Sequence, residues 1–120
     1  MGKKISRCED LEVWKESMRL TSQIYNQIGN LNDFGFRNQI QKAAVSVPSN
    51  IAEGYERQSN RVFIQFLFIA RGSSGELRTQ LYLAVELRFI DKSKGRELIN
   101  QTRKISAMLS KLIQTRKDFF

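Results

Sequence analysis

The side chains that could carry out catalysis are few in this sequence. It has no histidine and a single cysteine, Cys8, so a nucleophile would lack its usual base and a soft metal would lack ligands. A paired-carboxylate site needs two inward-pointing acids; only Glu53 and Glu76 are candidates, and each could equally pair with Arg71 or lie on the surface. The sequence has no glycine-rich phosphate loop and no GxGxxG motif. We therefore expect no enzymatic activity, no metal and no cofactor.

Basic side chains are the more informative chemical groups. The net charge is +8 at pH 7. Residues 92–120 hold eight Lys or Arg against two acids, so six of the eight net charges lie in the last quarter of the chain. An excess of this kind indicates a polyanionic partner, with nucleic acid first and an acidic membrane or protein second.

A predicted fourth helix gathers much of this charge on one face. At 100° per residue, four basic residues fall within an arc of about 100°: Arg96, Arg103, Lys104 and Lys111. A solvated face without a ligand is the simplest alternative, but the face is nearly free of acids, which favours contacts with nucleic-acid phosphates. Four basic residues around the second and third helices could add to the site: Arg37, Lys42, Arg57 and Arg61.

Helices must position these charges, because apolar residues recur every three or four positions along most of the chain. Four helices are predicted, at about 9–29, 33–57, 60–90 and 92–116, with short polar turns between them. The composition, 41% hydrophobic and 27% charged with one proline, is typical of one helical domain spanning 1–120. Short loops make successive helices antiparallel, so we predict an all-α, antiparallel up-down four-helix bundle.

The only proline, Pro48, lies in the middle of the second predicted helix. Apolar residues keep their spacing on both sides of it, so one helical face continues through the proline. A proline inside a helix removes one N–H donor and crowds the carbonyl four residues earlier, here that of Ala44. The segment is either one helix kinked at Pro48, which we predict, or two helices, the second capped by Ser46 or Val47.

Polar residues around Pro48 predict a network between helices. If the second and third helices form a hairpin about residue 59, Arg71 lies opposite Pro48. Ser74 then lies opposite Ala44. Both side chains become candidates to satisfy carbonyls that Pro48 frees, and a neighbouring acid or amide should balance the arginine. The predicted network consists of Ser46, Asn50, Glu53, Arg71, Ser74 and Glu76.

The tetrapeptide Gly72-Ser73-Ser74-Gly75 falls inside the third predicted helix. On its own it is a turn signal, and two glycines in a helix interior cost about 2 kcal/mol relative to alanine. The apolar seam nevertheless keeps its phase across the tetrapeptide. We therefore predict a continuous helix, with small residues where another helix approaches closely.

Residues 62–70, VFIQFLFIA, are apolar on nearly all sides of the third helix. One packed face cannot hide all of these side chains, so a second partner is needed in addition to the bundle core. This pattern predicts a homo-oligomer. The predicted interface consists of Val62, Ile64, Phe66, Phe68 and Ile69.

The sequence predicts a cytoplasmic protein that does not enter membranes. Cys8 has no second cysteine to pair with, and no signal peptide opens the chain. No apolar run approaches the roughly 18 residues of a spanning helix.

Three segments resemble a known family: EDLEVWKESMRL, then QIQKAAVSVPSNIAEGYERQS, then FIQFLFIARGSSGELRTQL. They are similar to bacterial four-helix-bundle proteins encoded in intervening sequences of 23S rRNA genes, which are often labelled ribosomal proteins. The likeness covers about residues 8–115. It implies an antiparallel bundle that assembles as a ring-like homopentamer without established enzymatic activity. It also implies kinship with accessory variability proteins of diversity-generating retroelements, which are basic pentamers that bind nucleic acid and a reverse transcriptase.

Two functions follow as hypotheses. In the first, the protein is a non-enzymatic basic oligomer that binds nucleic acid, with RNA as the expected class, through phosphate contacts of the fourth helix. In the second, it is an adaptor whose apolar helix surfaces dock a protein, such as a reverse transcriptase or a ribosome-associated factor. Salt separates the hypotheses, because phosphate contacts weaken as salt rises and an apolar interface does not.

Overall fold

The computed structural model describes residues 5–120. Four helices make up most of this range: α1, Glu12–Ile28; α2, Phe34–Glu56; α3, Asn60–Glu86; and α4, Lys92–Phe119. A single 3-10 turn, Cys8–Asp10, precedes α1. The described residues contain no strand, and the helices form the predicted all-α, antiparallel up-down four-helix bundle.

Each helix packs against two of the others. α1 and α3 both contact α2 and α4. Within residues 5–120 no contact joins α1 to α3 or α2 to α4, so these pairs lie diagonally across the bundle. Fully buried aliphatic side chains from all four helices fill the core, among them Ile24, Ile51, Leu81 and Ile105. This order leaves the outer surface of α4 open between α1 and α3.

The helix ends differ from prediction where the backbone turns. α1 begins at Glu12 instead of residue 9, because Leu11 is extended (φ −72°, ψ 126°) and separates the 3-10 turn from the helix. α3 ends at Glu86, four residues before the predicted end, and Arg88 then adopts the left-handed conformation with φ 62°. α4 continues to Phe119, three residues past the predicted end.

Side-chain caps begin the last three helices. The Asp33 side chain accepts a hydrogen bond from the Phe36 amide, and the Ser59 side chain accepts one from the Val62 amide. Asp91 does the same for α4 through the amide of Lys94. These oxygens satisfy amides that have no partner within the helix, which explains why short polar turns suffice to start each helix.

α2 runs through Pro48 as one helix, so the alternative of two separate helices is wrong. The carbonyl of Ala44, which loses its usual donor at Pro48, instead accepts a hydrogen bond from the Thr21 hydroxyl at 3.0 Å. The expectation that Arg71 or Ser74 would satisfy this carbonyl is wrong. The donor comes from α1, the other neighbour of α2.

The predicted polar network is divided between two helix interfaces. Between α2 and α3, the hydroxyls of Ser46 and Ser73 lie 2.8 Å apart. Within α2, the Asn50 amide donates to the Ser46 carbonyl at 2.8 Å. Between α3 and α4, the Ser74 hydroxyl donates to the Thr102 carbonyl at 3.0 Å. A hairpin register fixes which residues share a height but not the direction in which each side chain points. Arg71 and Ser74 therefore face α4, although Ser73 between them faces α2.

The acids do not balance Arg71 as predicted. The Arg71 guanidinium donates to the Ser110 hydroxyl at 3.1 Å. Glu53 pairs with Arg57 on the surface at 2.6 Å, and Glu76 is exposed and accepts a long contact of 3.5 Å from the Gln80 amide. Arg71 is only half-buried, so its charge keeps solvent contact and does not need a carboxylate.

α3 passes through residues 72–75 without a break, as expected from the apolar seam. A Cβ added at Gly72 would meet no atom within 4 Å, so this glycine makes no close helix contact. The close approach between α2 and α3 lies at Gly54, where an added Cβ would be 2.5 Å from the Cβ of Phe66. The expectation of close packing at the tetrapeptide is thus wrong at Gly72, and Gly54 takes that role.

No helix within residues 5–120 has the length and the apolar character that crossing a membrane requires.

Candidate nucleic-acid interface

The four basic residues predicted on α4 all reach solvent: Arg96, Arg103, Lys104 and Lys111. They lie on the outer side of the helix because Leu98, Ile105 and Leu109 occupy the core side. The surface has two edges. One faces α3 and the other faces α1, and the basic residues have different surroundings at each.

At the α3 edge, hydrogen bonds hold Arg103 in place. Its guanidinium donates to the hydroxyl of Tyr82 on α3 at 2.5 Å and to the Asn100 side-chain oxygen at 3.4 Å. Both partners are neutral, so the charge of Arg103 is not neutralised. None of the ion pairs among residues 5–120 involves Arg103, Arg96 or Lys92.

These residues line an open cleft of about 380 Å³ between the end of α3 and the first half of α4. Its apolar walls are Val85 and Ile99, and its rim carries Tyr82, Glu86, Lys92, Arg96, Asn100 and Arg103. Gly95 brings the two helices together beside the cleft, since a Cβ there would be 2.1 Å from a methyl group of Val85. The cleft therefore combines three cations and one acid with an aromatic ring, which is half exposed.

At the α1 edge, by contrast, the basic residues have acidic neighbours. The Lys104 ammonium pairs with Glu16 at 3.3 Å, and Glu16 also accepts from Arg19 at 2.6 Å. The Arg19 hydrogen bond, helped by that of Lys104, lowers the pKa of the Glu16 carboxyl despite its partial burial. Lys111 borders a mostly apolar groove that also includes Glu12.

The other four predicted basic residues lie outside α4. Arg37 and Lys42 are on α2, which does not contact α4. The Arg37 guanidinium lies 4.6 Å from the ring centroid of Phe34, and Arg57 is paired with Glu53. Arg61 is exposed at the start of α3. Arg37 and Lys42 therefore do not join Arg96, Arg103, Lys104 and Lys111 in one continuous site.

The apolar residues predicted at an oligomer interface have unequal exposure. Val62, Ile64 and Phe66 are half-buried within the bundle. Phe68 is 39% exposed and Ile69 is 50% exposed. The bundle alone therefore buries more of residues 62–70 than we expected from one packed helix face.

Sequence reasoning missed Tyr82 and Asn100 as parts of the site, and it counted Lys92 only in the charge excess. Signals for Lys92 and Tyr82 were present. Lys92 lies one helical turn before Arg96. The hairpin rule used for α2 and α3, when applied to the turn near residue 90, also brings the end of α3 beside the start of α4.

The described part of the chain offers no metal site, because no group of three or more His, Cys, Asp or Glu side chains is suitably arranged. Cys8 is buried. Burial and the charges of Glu9 and Glu56 raise the pKa of its thiol to about 11, so the reactive thiolate is scarce at neutral pH.

The fold and surface together define a basic four-helix bundle with unpaired cations on its last helix. The family model of the 23S rRNA-intervening sequence protein matches residues 9–111, so the chain belongs to that family. The comparison with curated proteins finds no match. A similar solved structure is a protein of unknown function from the S23 ribosomal protein family of Bacteroides thetaiotaomicron VPI-5482. It is 25% identical, with a TM-score of 0.78 over 86% of this chain and 96% of that chain.

Proposed function

We propose that this protein is a non-enzymatic, cytoplasmic RNA-binding protein and that the outer face of α4 contacts the RNA phosphates. The observation that carries the proposal is the set of exposed α4 cations, of which Arg96 and Arg103 have no acidic partner. Cations that are already hydrated and unpaired gain most from displacing the counterions of a polyanion. The family description, which refers to an intervening sequence of 23S rRNA, makes a structured rRNA fragment the natural first probe.

Charge reversal tests the surface. The triple variant Arg103→Glu, Lys104→Glu, Lys111→Glu should lose RNA affinity by at least tenfold at low salt, uniformly across RNA sequences. Its matched control is Lys42→Glu, Arg57→Glu, Arg61→Glu, which changes the net charge equally on other helices. Equal losses for the two variants would show that binding follows net charge and not the α4 face. Full affinity in the folded α4 variant would refute the proposal.

We further propose that the chain self-associates as a ring-like homo-oligomer, for which the family resemblance implies five subunits. Ile69 and Leu83 on α3, and Leu87 directly after its end, are each about half exposed, at 50%, 47% and 52%. The spacing of 14 residues places Ile69 and Leu83 on one side of the helix. A row of large apolar side chains in water favours burial against another protein surface.

The same row favours a second candidate function, a protein adaptor that docks a reverse transcriptase or a ribosome-associated factor. Light scattering during size exclusion, with and without an rRNA fragment, separates the possibilities. A large particle that falls to 14.0 kDa in Ile69→Glu, Leu83→Glu would support self-association through this row. Tyr25→Glu, at an equally exposed aromatic residue of α1, is the control. A wild-type particle that ignores RNA at low salt would favour the adaptor.

A further inference from the structure

The cleft between α3 and α4 has a composition that a purely phosphate-binding surface does not need. Phosphate contacts are made by cations, amides and hydroxyls, and the face of an aromatic ring or an apolar wall adds nothing to them. This cleft places the Tyr82 ring, together with Val85 and Ile99, beside Arg96 and Arg103. A ligand that fits this cleft would therefore combine a flat, partly apolar group with a phosphate.

Tyr82 is held at the rim of the cleft. Its hydroxyl accepts the 2.5 Å hydrogen bond from Arg103, and half of the residue is exposed to solvent. Arg103 has five N–H donors, and only two nitrogen atoms are occupied by Tyr82 and Asn100. The ring and the cation are therefore fixed relative to each other, while Arg103 keeps donors for an incoming anion.

We propose that the cleft binds one unpaired RNA base, which stacks on Tyr82 while its adjoining phosphates contact Arg96 and Arg103. Bases in a duplex are stacked on each other and cannot enter a side cleft, whereas bases in loops, bulges and single strands can stack on aromatic side chains. Glu86 and Asn100 supply hydrogen-bond acceptors for the base edge. The size of about 380 Å³ is within the range of small-ligand pockets.

This inference rests on the proposed RNA-binding function and makes it more specific. The other basic residues of α4 would contact backbone phosphates of either a duplex or a loop. Only the cleft would distinguish unpaired from paired nucleotides. At the α1 edge, Lys104 is paired with Glu16, and the neighbouring groove has no aromatic side chain among its lining residues.

The test uses a hairpin RNA that carries 2-aminopurine in its loop and a matched duplex with the same base paired. Wild-type protein should bind the hairpin more tightly and change the loop fluorescence. Tyr82→Ala should lose about tenfold in hairpin affinity, as expected for one stacked base, with duplex affinity and salt dependence unchanged. Tyr82→Phe keeps the ring and should remain within about threefold of wild type.

Two further variants keep the outcome interpretable. Tyr25→Ala removes another half-exposed tyrosine, on α1, and should change nothing. Arg96→Gln should lower the salt slope of hairpin and duplex binding alike by about one. Equal affinity for hairpin and duplex, or an unaffected Tyr82→Ala, would overturn the inference and leave the proposed function standing. No binding of either RNA by wild type at low salt would overturn both.

Discussion

The two edges of α4 carry similar charges but differ in what surrounds them. At the α3 edge, Arg96 and Lys92 have no ion-pair partner, and Arg103 is bonded to neutral groups beside an open cleft. At the α1 edge, Lys104 shares Glu16 with Arg19. An exposed ion pair adds little to stability, yet it lowers the charge available to a ligand. The comparison shows that two edges with similar basic residues differ in how many of those residues are paired, and so in the charge that each edge leaves free.

The largest expected effect is a loss of stability at the α3 edge, where Gly95 lets α3 and α4 pack closely. Gly95→Ala would place a Cβ 2.1 Å from a methyl group of Val85, so the valine must rotate or the helices must separate. We expect a loss of about 1–3 kcal/mol in the free energy of unfolding, measured by urea denaturation. Adding Val85→Ala should recover part of that loss, because it removes the methyl group that clashes.

Gly72→Ala is the matched control for Gly95→Ala. An added Cβ at Gly72 meets nothing within 4 Å, and alanine is the better helix former. We expect this variant to be more stable by about 0.5–1 kcal/mol. If both glycine variants gain stability, the α3 edge does not depend on close helix packing.

Charge reversal at one edge at a time should separate the edges directly. We expect Arg96→Glu, Arg103→Glu to lose about tenfold more RNA affinity than Lys104→Glu, Lys111→Glu, since the first pair is free of acidic partners. Each lost phosphate contact should also lower the salt slope by about one. Titrations across a salt series measure both quantities. Equal losses would mean that the ion pair of Lys104 does not matter for RNA.

Removing the acid should make the α1 edge more like the α3 edge. Glu16→Gln frees Lys104 from its ion pair, and we expect RNA affinity to rise about twofold to threefold at low salt. The control is Glu53→Gln, which removes the partner of Arg57 on α2 and makes the same change in net charge. A rise of equal size in the control would point to net charge alone.

The smallest expected effect is the pH dependence of stability at Glu16. Hydrogen bonds from Arg19 and Lys104 lower the pKa of the folded carboxyl below its ordinary value of 4.5. A carboxyl whose pKa is lower in the folded than in the unfolded protein stabilises the fold. This stabilisation is complete at pH values above the unfolded pKa, and it is lost as the pH falls through the folded pKa. Wild type should exceed Glu16→Gln in stability by under about 1 kcal/mol at pH 7. Urea denaturation over a pH series should show the difference shrinking as the pH falls below 4.5, and a constant difference would contradict the assignment.

Much of the fold was predictable from local pattern. The three- and four-residue spacing of apolar residues predicted four helices, and the phase of the seam correctly carried α3 through residues 72–75. The hairpin about residue 59 correctly paired α2 with α3, but it did not identify the contact between the Ser46 and Ser73 hydroxyls. Helix ends were less predictable, because Leu11 and Arg88 leave the helical conformation without a sequence signal as strong as proline.

The candidate site was predictable only in part. Arg96 and Arg103 follow from the charge excess and from helical geometry, but their surroundings do not. Tyr82 is far from them in sequence and reaches Arg103 only because α3 and α4 pack side by side. The acidic partner of Lys104 likewise comes from α1, 88 residues away.

By itself the sequence determined that the chain forms helices, that they bury one face each, and that the last helix carries most of the net charge. These properties depend on residue type and on spacing within one helix, which the backbone geometry sets. Tertiary structure alone decided which neighbour each side chain meets: Thr21 at the Ala44 carbonyl, Glu16 at Lys104 and Tyr82 at Arg103. Those contacts depend on how each helix is rotated about its own axis, and close packing of the whole core sets that rotation.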